Sequence, residues 1–142
     1  MRQALVVDTS VAIKWLLAEE YSAHATALVN AGWALHAPDI MLLEVDNVLC
    51  RRARVLDFDP AVVGSLRRTM RAVDVTYHGF RDLLDGGVGI SMALDHAVYD
   101  CLFLALGGSM NARVVTADKE LLRRVRGTVW EPAALWIGDL AR

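Results

Sequence analysis

The sequence has few cysteines, no dominant charge and no long apolar run, and each absence excludes a class of protein. Its two cysteines, Cys50 and Cys101, lack metal-like spacing, so we expect small core residues in a reducing cytosol. A net charge of -2 provides no field that would steer a nucleic acid. No apolar run reaches membrane-spanning length, and Arg2 leads directly into an apolar strand rather than a signal peptide. We therefore expect a cytoplasmic protein without a membrane partner.

The composition is that of a globular protein with a large core. The chain is 55% hydrophobic and 23% charged, and its 142 residues predict a single domain over residues 1–142. Most of the 15 basic residues are arginine, which binds phosphate better than lysine does. Many of them form three clusters: Arg51, Arg52 and Arg54; Arg67, Arg68 and Arg71; Arg123, Arg124 and Arg126. We expect most of these side chains on solvated helix faces.

Apolar strands alternate with helical segments along the chain. This alternation predicts an α/β protein, with a central parallel sheet of about five strands in a three-layer α/β/α arrangement. The predicted strands cover residues 4–7, 33–37, 73–77, 113–116 and 128–130. Residues 85–89 (DGGVG) are predicted to be a flexible connector, Gly107-Gly108 to end a buried helix, and residues 132–140 to form a tail.

This topology places four acidic residues at one edge of the sheet. Asp8 follows the first strand and Asp118 the fourth, and the carboxyl ends of parallel strands meet at the rim where ligands gather. Asp100 stands at the start of a nearly all-apolar helix. Glu44 lies about one turn into the helix after the second strand. We therefore expect these four carboxylates to meet in one pocket.

Four carboxylates cannot all stay ionised in one tight pocket without a cation. Hard oxygen ligands, with no histidine or cysteine at ligand spacing, favour Mg²⁺ or Mn²⁺ over zinc as the cofactor. Such a site suits phosphodiester hydrolysis. The hydroxyls of Thr9, Ser10 and Thr116 are candidates to orient carboxylates or metal-bound water. His96 precedes Asp100 by about one helical turn and is a further neighbour to consider.

Taken alone, each acid also has a structural interpretation. Asp8 could be a turn residue, Asp100 and Asp118 could cap helices, and Glu44 could be a surface acid. Two other functions stay open: a scaffold that binds RNA or protein without catalysis, and a phosphatase or phospho-acceptor domain with Asp8 as nucleophile. A phospho-acceptor domain would need an acidic pair before Asp8, and the sequence has none there. A dehalogenase-type phosphatase would need another acid at the position of Ser10.

Four sequence motifs resemble those of the PIN-domain nucleases, and specifically the VapC-type toxins of bacterial toxin–antitoxin pairs. They are residues 6–15 (VVDTSVAIKW), 37–49 (APDIMLLEVDNVL), 98–106 (VYDCLFLAL) and 115–121 (VTADKEL), in the family's order and spacing. The resemblance implies a PIN-like fold and a catalytic metal site, with Thr9 or Ser10 and Thr116 in support. By position, its acids are Asp8, Glu44, Asp100 and Asp118.

The resemblance further implies Mg²⁺- or Mn²⁺-dependent cleavage of RNA by an endoribonuclease, a homodimer, and inhibition by a small antitoxin of the VapB type. Two positions depart from the family pattern. Asp46 stands where a small residue is more usual and adds negative charge near Glu44. Gly107-Gly108 replaces a more helical continuation and is expected to shorten its helix. Neither departure removes an expected metal ligand.

Overall fold

The computed structural model describes residues 2–141, which form a five-stranded parallel sheet within a three-layer α/β/α fold. The spatial order of the strands is β3-β2-β1-β4-β5, and every neighbouring pair is parallel. This confirms the predicted fold class. The strands are β1 (Ala4–Val7), β2 (Ala34–Pro38), β3 (Val75–His78), β4 (Val114–Thr116) and β5 (Ala134–Trp136).

Helices connect these strands and supply the outer layers. Their bounds are α1 (Thr9–Ala12), α2 (Ser22–Asn30), α3 (Ile40–Leu56), α4 (Pro60–Ala72), α5 (Leu84–Leu94), α6 (Val98–Met110) and α7 (Lys119–Val125). Helix α1 tightens into a 3₁₀ turn at Ile13–Trp15. Helix α4 begins as its sequence indicates, with Asp59 accepting the Ala61 amide at 2.8 Å and Pro60 in the first turn.

The core lies where the central strand meets the helical layers. Leu5, Val6 and Val7 of β1 are at most 1% exposed, because β1 has strands on both sides and helices on both faces. Helix α6 is also buried on most sides, with Phe103 at 0% exposure. The apolar run of β1 ends at Asp8, where the chain leaves the buried centre of the sheet.

The fifth strand lies six residues later than the sequence predicted. Residues 128–130 form a turn, because the Thr128 hydroxyl donates to the Val125 carbonyl at 2.6 Å and accepts from the Trp130 amide at 3.2 Å. Gly127, with φ of 75°, redirects the chain before that turn. The segment predicted to be a tail instead supplies β5, which pairs with β4, and Trp136 packs edge-on against Tyr21.

Two glycine-rich segments are helical, contrary to prediction. Residues 85–89 lie inside α5, and Gly107-Gly108 lies inside α6, which continues to Met110. A Cβ on Gly87 would lie 2.6 Å from Cδ2 of Leu102, so its absence allows α5 and α6 to pack closely. A Cβ on Gly107 would lie 2.6 Å from the Ala112 carbonyl oxygen, where the chain turns out of α6.

Smaller expectations were also decided by packing. Cys101 is buried as predicted, whereas Cys50 is exposed on α3. Asp39, directly before α3, is of the residue type expected to cap that helix, but its carboxylate instead accepts the Phe80 amide at 3.0 Å. Within residues 2–141, no single helix is long and apolar enough to cross a membrane. Only the pair Phe80–Leu94 and Val98–Met110 meets that test jointly, and it is bent by 116°.

Candidate metal centre

Asp8 forms the floor of the site, at the carboxyl end of β1. It is 4% exposed, and its Oδ2 accepts hydrogen bonds from Ser10 Oγ at 2.5 Å and Thr116 Oγ1 at 3.0 Å. Burial raises the pKa of Asp8 to about 6, against the opposing effect of the Ser10 hydrogen bond. The charges of Asp100 and Asp118 raise this pKa further. Within residues 2–141, Asp8 is therefore a buried acid that forms no ion pair with a basic side chain.

Glu44 reaches the site from the second turn of α3. Thr9, the first residue of α1, donates its hydroxyl to Glu44 Oε1 at 2.8 Å. Burial raises the pKa of Glu44 to about 7, and the charges of Asp8 and Asp100 act in the same direction. Glu44 is therefore a partly buried acid that lies close to Asp8 and Asp100.

Asp100 enters from the first turn of α6, next to His96. Nε2 of His96 lies 2.8 Å from Oδ2 of Asp100, one helical turn apart in sequence, but outside hydrogen-bond geometry. Burial raises the pKa of Asp100, His96 opposes that rise, and Asp118 adds to it.

Asp118 closes the fourth side, just beyond β4. Its Oδ1 accepts the amides of Glu120 and Leu121 at 2.9 and 3.3 Å, so it caps α7. The capping interpretation is therefore correct, and it also fixes the position of the carboxylate. Two hydroxyls anchor the same loop: Thr116 Oγ1 accepts the Asp118 amide at 3.0 Å, and Ser10 Oγ accepts the Ala117 amide at 2.9 Å.

The four acids share one pattern of engagement. In each, one oxygen contacts a protein group, and the other accepts no hydrogen bond from residues 2–141. The engaged oxygen orients the carboxylate, while the other is available to a ligand. Ligand atoms of His96, Asp100 and Asp118 all lie within 4.8 Å of one another. A hard divalent cation fits these carboxylates, because it supplies positive charge where burial raises the pKa of Asp8, Glu44 and Asp100.

The other acids near the site in sequence are engaged elsewhere. Asp46 forms a two-point ion pair with Arg67, at 2.9 and 3.1 Å, so the extra negative charge expected near Glu44 is neutralised. The Asp95 side chain is 99% exposed at the end of α5, as the polar turn that residues 93–96 indicate in the sequence predicts.

Two grooves, which the sequence analysis did not identify, adjoin the acids. One has a volume of about 410 Å³ and is lined by Ile40, Leu43, Glu44, Asn47 and Tyr99. We call the other the arginine groove: about 480 Å³, it contains Ser10, Ile13, Glu19, Val48, Arg51, Arg52 and Val55. The spacing of Arg51 from Glu44, about two helical turns, is the signal that could have located the second groove.

The protein is thus a small α/β protein with a parallel sheet, and acidic residues gather at the carboxyl ends of its strands. The family model of the PIN domain matches residues 5–127. The chain belongs to the PIN domain family. The family resemblance seen in the four motifs is thereby confirmed.

Relatives extend the likeness. The chain is 28% identical over 124 residues to Ribonuclease VapC3 of Pyrobaculum aerophilum, covering 84% of this chain and 93% of that protein. The fold is similar to that of PAE2754 from the same organism, with a TM-score of 0.70, 19% identity and coverage of 97% and 92%. It is also similar to a chain of a toxin–antitoxin complex from Klebsiella pneumoniae, with a TM-score of 0.65, 15% identity and coverage of 92% and 95%.

Proposed function

We propose that this protein is a Mg²⁺- or Mn²⁺-dependent endoribonuclease and the toxin of a type II toxin–antitoxin pair. The observation that carries the proposal is the meeting of Asp8, Glu44, Asp100 and Asp118 at one rim, three of them with raised pKa values. The similarity to Ribonuclease VapC3 supports the choice of RNA as substrate. We further propose that residues 1–142 form a single PIN domain in the cytoplasm.

The proposed roles follow from the position of each residue. Asp8 and Asp100 hold the cation, Glu44 assists directly or through water, and Asp118 completes the pocket. A bound Mg²⁺ or Mn²⁺ would lower the pKa of an attacking water and stabilise negative charge on the phosphate. Supporting this assignment, the hydroxyls of Thr9, Ser10 and Thr116 donate to carboxylate oxygens of Asp8 and Glu44 at 2.5 to 3.0 Å. These contacts hold the acids in place before substrate arrives.

We propose the arginine groove as the path of the RNA backbone. It begins at Ser10, beside the acids, and continues along α3 to Arg51 and Arg52. Arg52 is held by Glu19 at 3.2 Å, whereas Arg51 forms no ion pair within residues 2–141. A guanidinium that is not neutralised by a carboxylate is available to a phosphate of the RNA backbone.

The test of the activity is cleavage of structured RNA by the purified chain with Mg²⁺, with Mn²⁺ and with EDTA. We expect cleavage only with metal, and Asp8→Asn or Asp100→Asn to reduce the rate by roughly a hundredfold or more. Asp46→Asn is the matched control, because this nearby acid pairs with Arg67. Full activity in Asp8→Asn would contradict the assignment, and RNA binding without cleavage by the unaltered chain would favour the scaffold function.

We propose a homodimer, supported by an apolar stripe on α5. Leu84, Val88 and Met92 recur every four residues and are 37%, 44% and 82% exposed. Such a stripe is unusual on a solvated helix and is typical of an interface. Light scattering after gel filtration should give a dimer that Met92→Asp dissociates. Val129→Asp, at an equally exposed valine, should leave the dimer intact.

An antitoxin partner is proposed from the four motifs and from the Klebsiella pneumoniae complex of similar fold. Expression of the chain alone should arrest growth, and Asp8→Ala should abolish the arrest. Co-expression with the small protein encoded by a neighbouring reading frame should restore growth and yield a co-purifying complex. Growth arrest that persists in Asp8→Ala would contradict a catalytic toxin.

A further inference from the structure

One nitrogen atom faces the acid site, and the roles proposed above do not use it. The His96 side chain is 9% exposed, and its Nε2 has no hydrogen-bond partner among residues 2–141. The nearest acceptor, Oδ2 of Asp100, lies at 2.8 Å but outside hydrogen-bond geometry. A buried polar atom without a directed partner costs free energy. Because Nε2 lies beside two carboxylates, a cation bound between them would supply the missing partner.

The distances match those between ligands of one ion. An ion that holds its ligands at about 2.1 Å in an octahedron places adjacent ligands roughly 3 Å apart and opposite ligands roughly 4.2 Å apart. Nε2 of His96 and Oδ2 of Asp100 are 2.8 Å apart, and Asp118 supplies a third ligand atom within 4.8 Å of both. The three side chains therefore each offer one ligand atom to the same small region.

The chain holds His96 in this place from both sides of its backbone. Helix α5 ends at Asp95, a residue with φ of 51°, and this sharp turn directs the next residue toward α6. The His96 amide donates to the Ser91 carbonyl at 3.3 Å, and the Ser91 hydroxyl donates to the His96 carbonyl at 2.5 Å. The imidazole is therefore positioned by the end of α5 rather than by contact with the acids.

We propose that His96 is a nitrogen ligand of the divalent cation, together with Asp100 and Asp118. This inference rests on the proposed metal-dependent function and adds a consequence for the choice of metal. Both ions favour oxygen ligands, but Mg²⁺ takes them almost exclusively, whereas Mn²⁺ coordinates imidazole more readily. The chain should therefore bind Mn²⁺ more tightly than Mg²⁺, and His96 should be the source of that preference.

A purely orienting histidine would behave differently. If His96 only held Asp100 in place, its loss would weaken Mg²⁺ and Mn²⁺ binding by a similar factor, because Asp100 would serve both ions equally. If His96 instead coordinates the ion, its loss would weaken mainly the binding of Mn²⁺, the ion that accepts a nitrogen ligand. The ratio of the two affinities thus separates the two roles.

The experiment uses the untagged full chain with MnCl₂ or MgCl₂ alone as the probe. Pulsed electron paramagnetic resonance of bound Mn²⁺ should show coupling to a directly coordinated nitrogen in the unaltered chain, lost in His96→Asn. Calorimetric titration should show Mn²⁺ affinity reduced about tenfold in His96→Asn, with Mg²⁺ affinity changed far less. His24→Asn is the matched control: Nδ1 of His24 is also buried without a partner among residues 2–141, but it lies on α2 beside Tyr21.

Absence of nitrogen coupling in the unaltered chain would overturn the inference, and so would an equal loss of affinity for both ions in His96→Asn. The spectroscopic result needs no variant, so a folding defect in His96→Asn cannot obscure it. Metal-dependent RNA cleavage without nitrogen coupling would overturn only the role of His96. Failure of the unaltered chain to bind either ion or to cleave RNA would instead overturn the proposed function on which the inference rests.

Discussion

The ionised carboxylate of Asp8 should oppose folding, so Asp8→Asn should stabilise the protein when metal is absent. Burial raises the pKa of Asp8 from 3.8 to about 6, so the folded chain binds this proton more tightly than the unfolded chain does. The contribution of Asp8 to stability is favourable at low pH and is lost as pH rises from about 4 to 6. The difference between the two pKa values corresponds to about 3 kcal/mol at pH 8.

The asparagine amide removes this cost and keeps the local contacts, because its carbonyl oxygen can accept the hydroxyls of Ser10 and Thr116. We therefore expect the free energy of unfolding of Asp8→Asn to exceed that of the unaltered protein at pH 8, by up to about 3 kcal/mol. The gain should shrink below about 1 kcal/mol at pH 4, where Asp8 is largely protonated in the folded chain and only about half ionised in the unfolded chain.

Urea unfolding in EDTA, followed by circular dichroism at pH 4 and pH 8, measures both quantities. Asp74→Asn is the control, because the Asp74 side chain is 85% exposed and its removal should change stability little. Saturating Mg²⁺ should raise the stability of the unaltered chain but not of Asp8→Asn, which lacks a ligand. If Asp8→Asn is destabilised at pH 8 in EDTA, the acid serves the fold and the reasoning fails.

Three further predictions concern the metal, the RNA and the packing. The pKa of Glu44 is raised to about 7, so Glu44 takes up a proton between pH 8 and pH 6. Calorimetry should therefore show Mg²⁺ affinity falling about tenfold over this pH range, and a constant affinity would exclude Glu44 as a ligand. Arg51→Gln should weaken RNA binding and flatten its salt dependence in fluorescence anisotropy, whereas Arg113→Gln, at the opposite edge of the sheet, should change neither. Gly87→Ala should lower the thermal and urea stability by about 1–3 kcal/mol, whereas Gly89→Ala, with no atom near its added Cβ, should raise it by about 0.5–1 kcal/mol; equal effects would contradict the packing argument.

The acids at the strand ends could be predicted from sequence because the signal is local. A buried parallel strand is a continuous apolar run, and the first charged residue after it marks the rim of the sheet. Asp8 and Asp118 satisfy this rule directly, and both lie at the predicted edge. Glu44 and Asp100 required only the start of the next helix and its period.

The glycine-rich helices could not be predicted, because the reason for glycine lies outside its own segment. Glycine lowers helix propensity, so residues 85–89 indicate a break when they are read locally. In the structure, the missing side chain of Gly87 leaves room for Leu102, fifteen residues further on. Tertiary packing thus compensates for the weak local preference. Local preference also misplaces β5, because the turn before it is rich in strand-forming residues and the strand itself is short.

Spatial order explains why the site is built on β1 and β4 rather than on consecutive strands. The chain fills the sheet from β1 through β2 to β3, then returns across to β4 on the other side of β1. The connections after β1 and β4 therefore leave in opposite directions and open a crevice at their carboxyl ends. Asp8 and Asp118 stand on its two sides, 110 positions apart in sequence yet joined through the Thr116 hydroxyl, which donates to Asp8 and accepts the Asp118 amide. Had β4 continued beyond β3, the same residues would lie at opposite ends of the sheet. Strand order therefore brings the acids together, and local sequence only places each one at the rim.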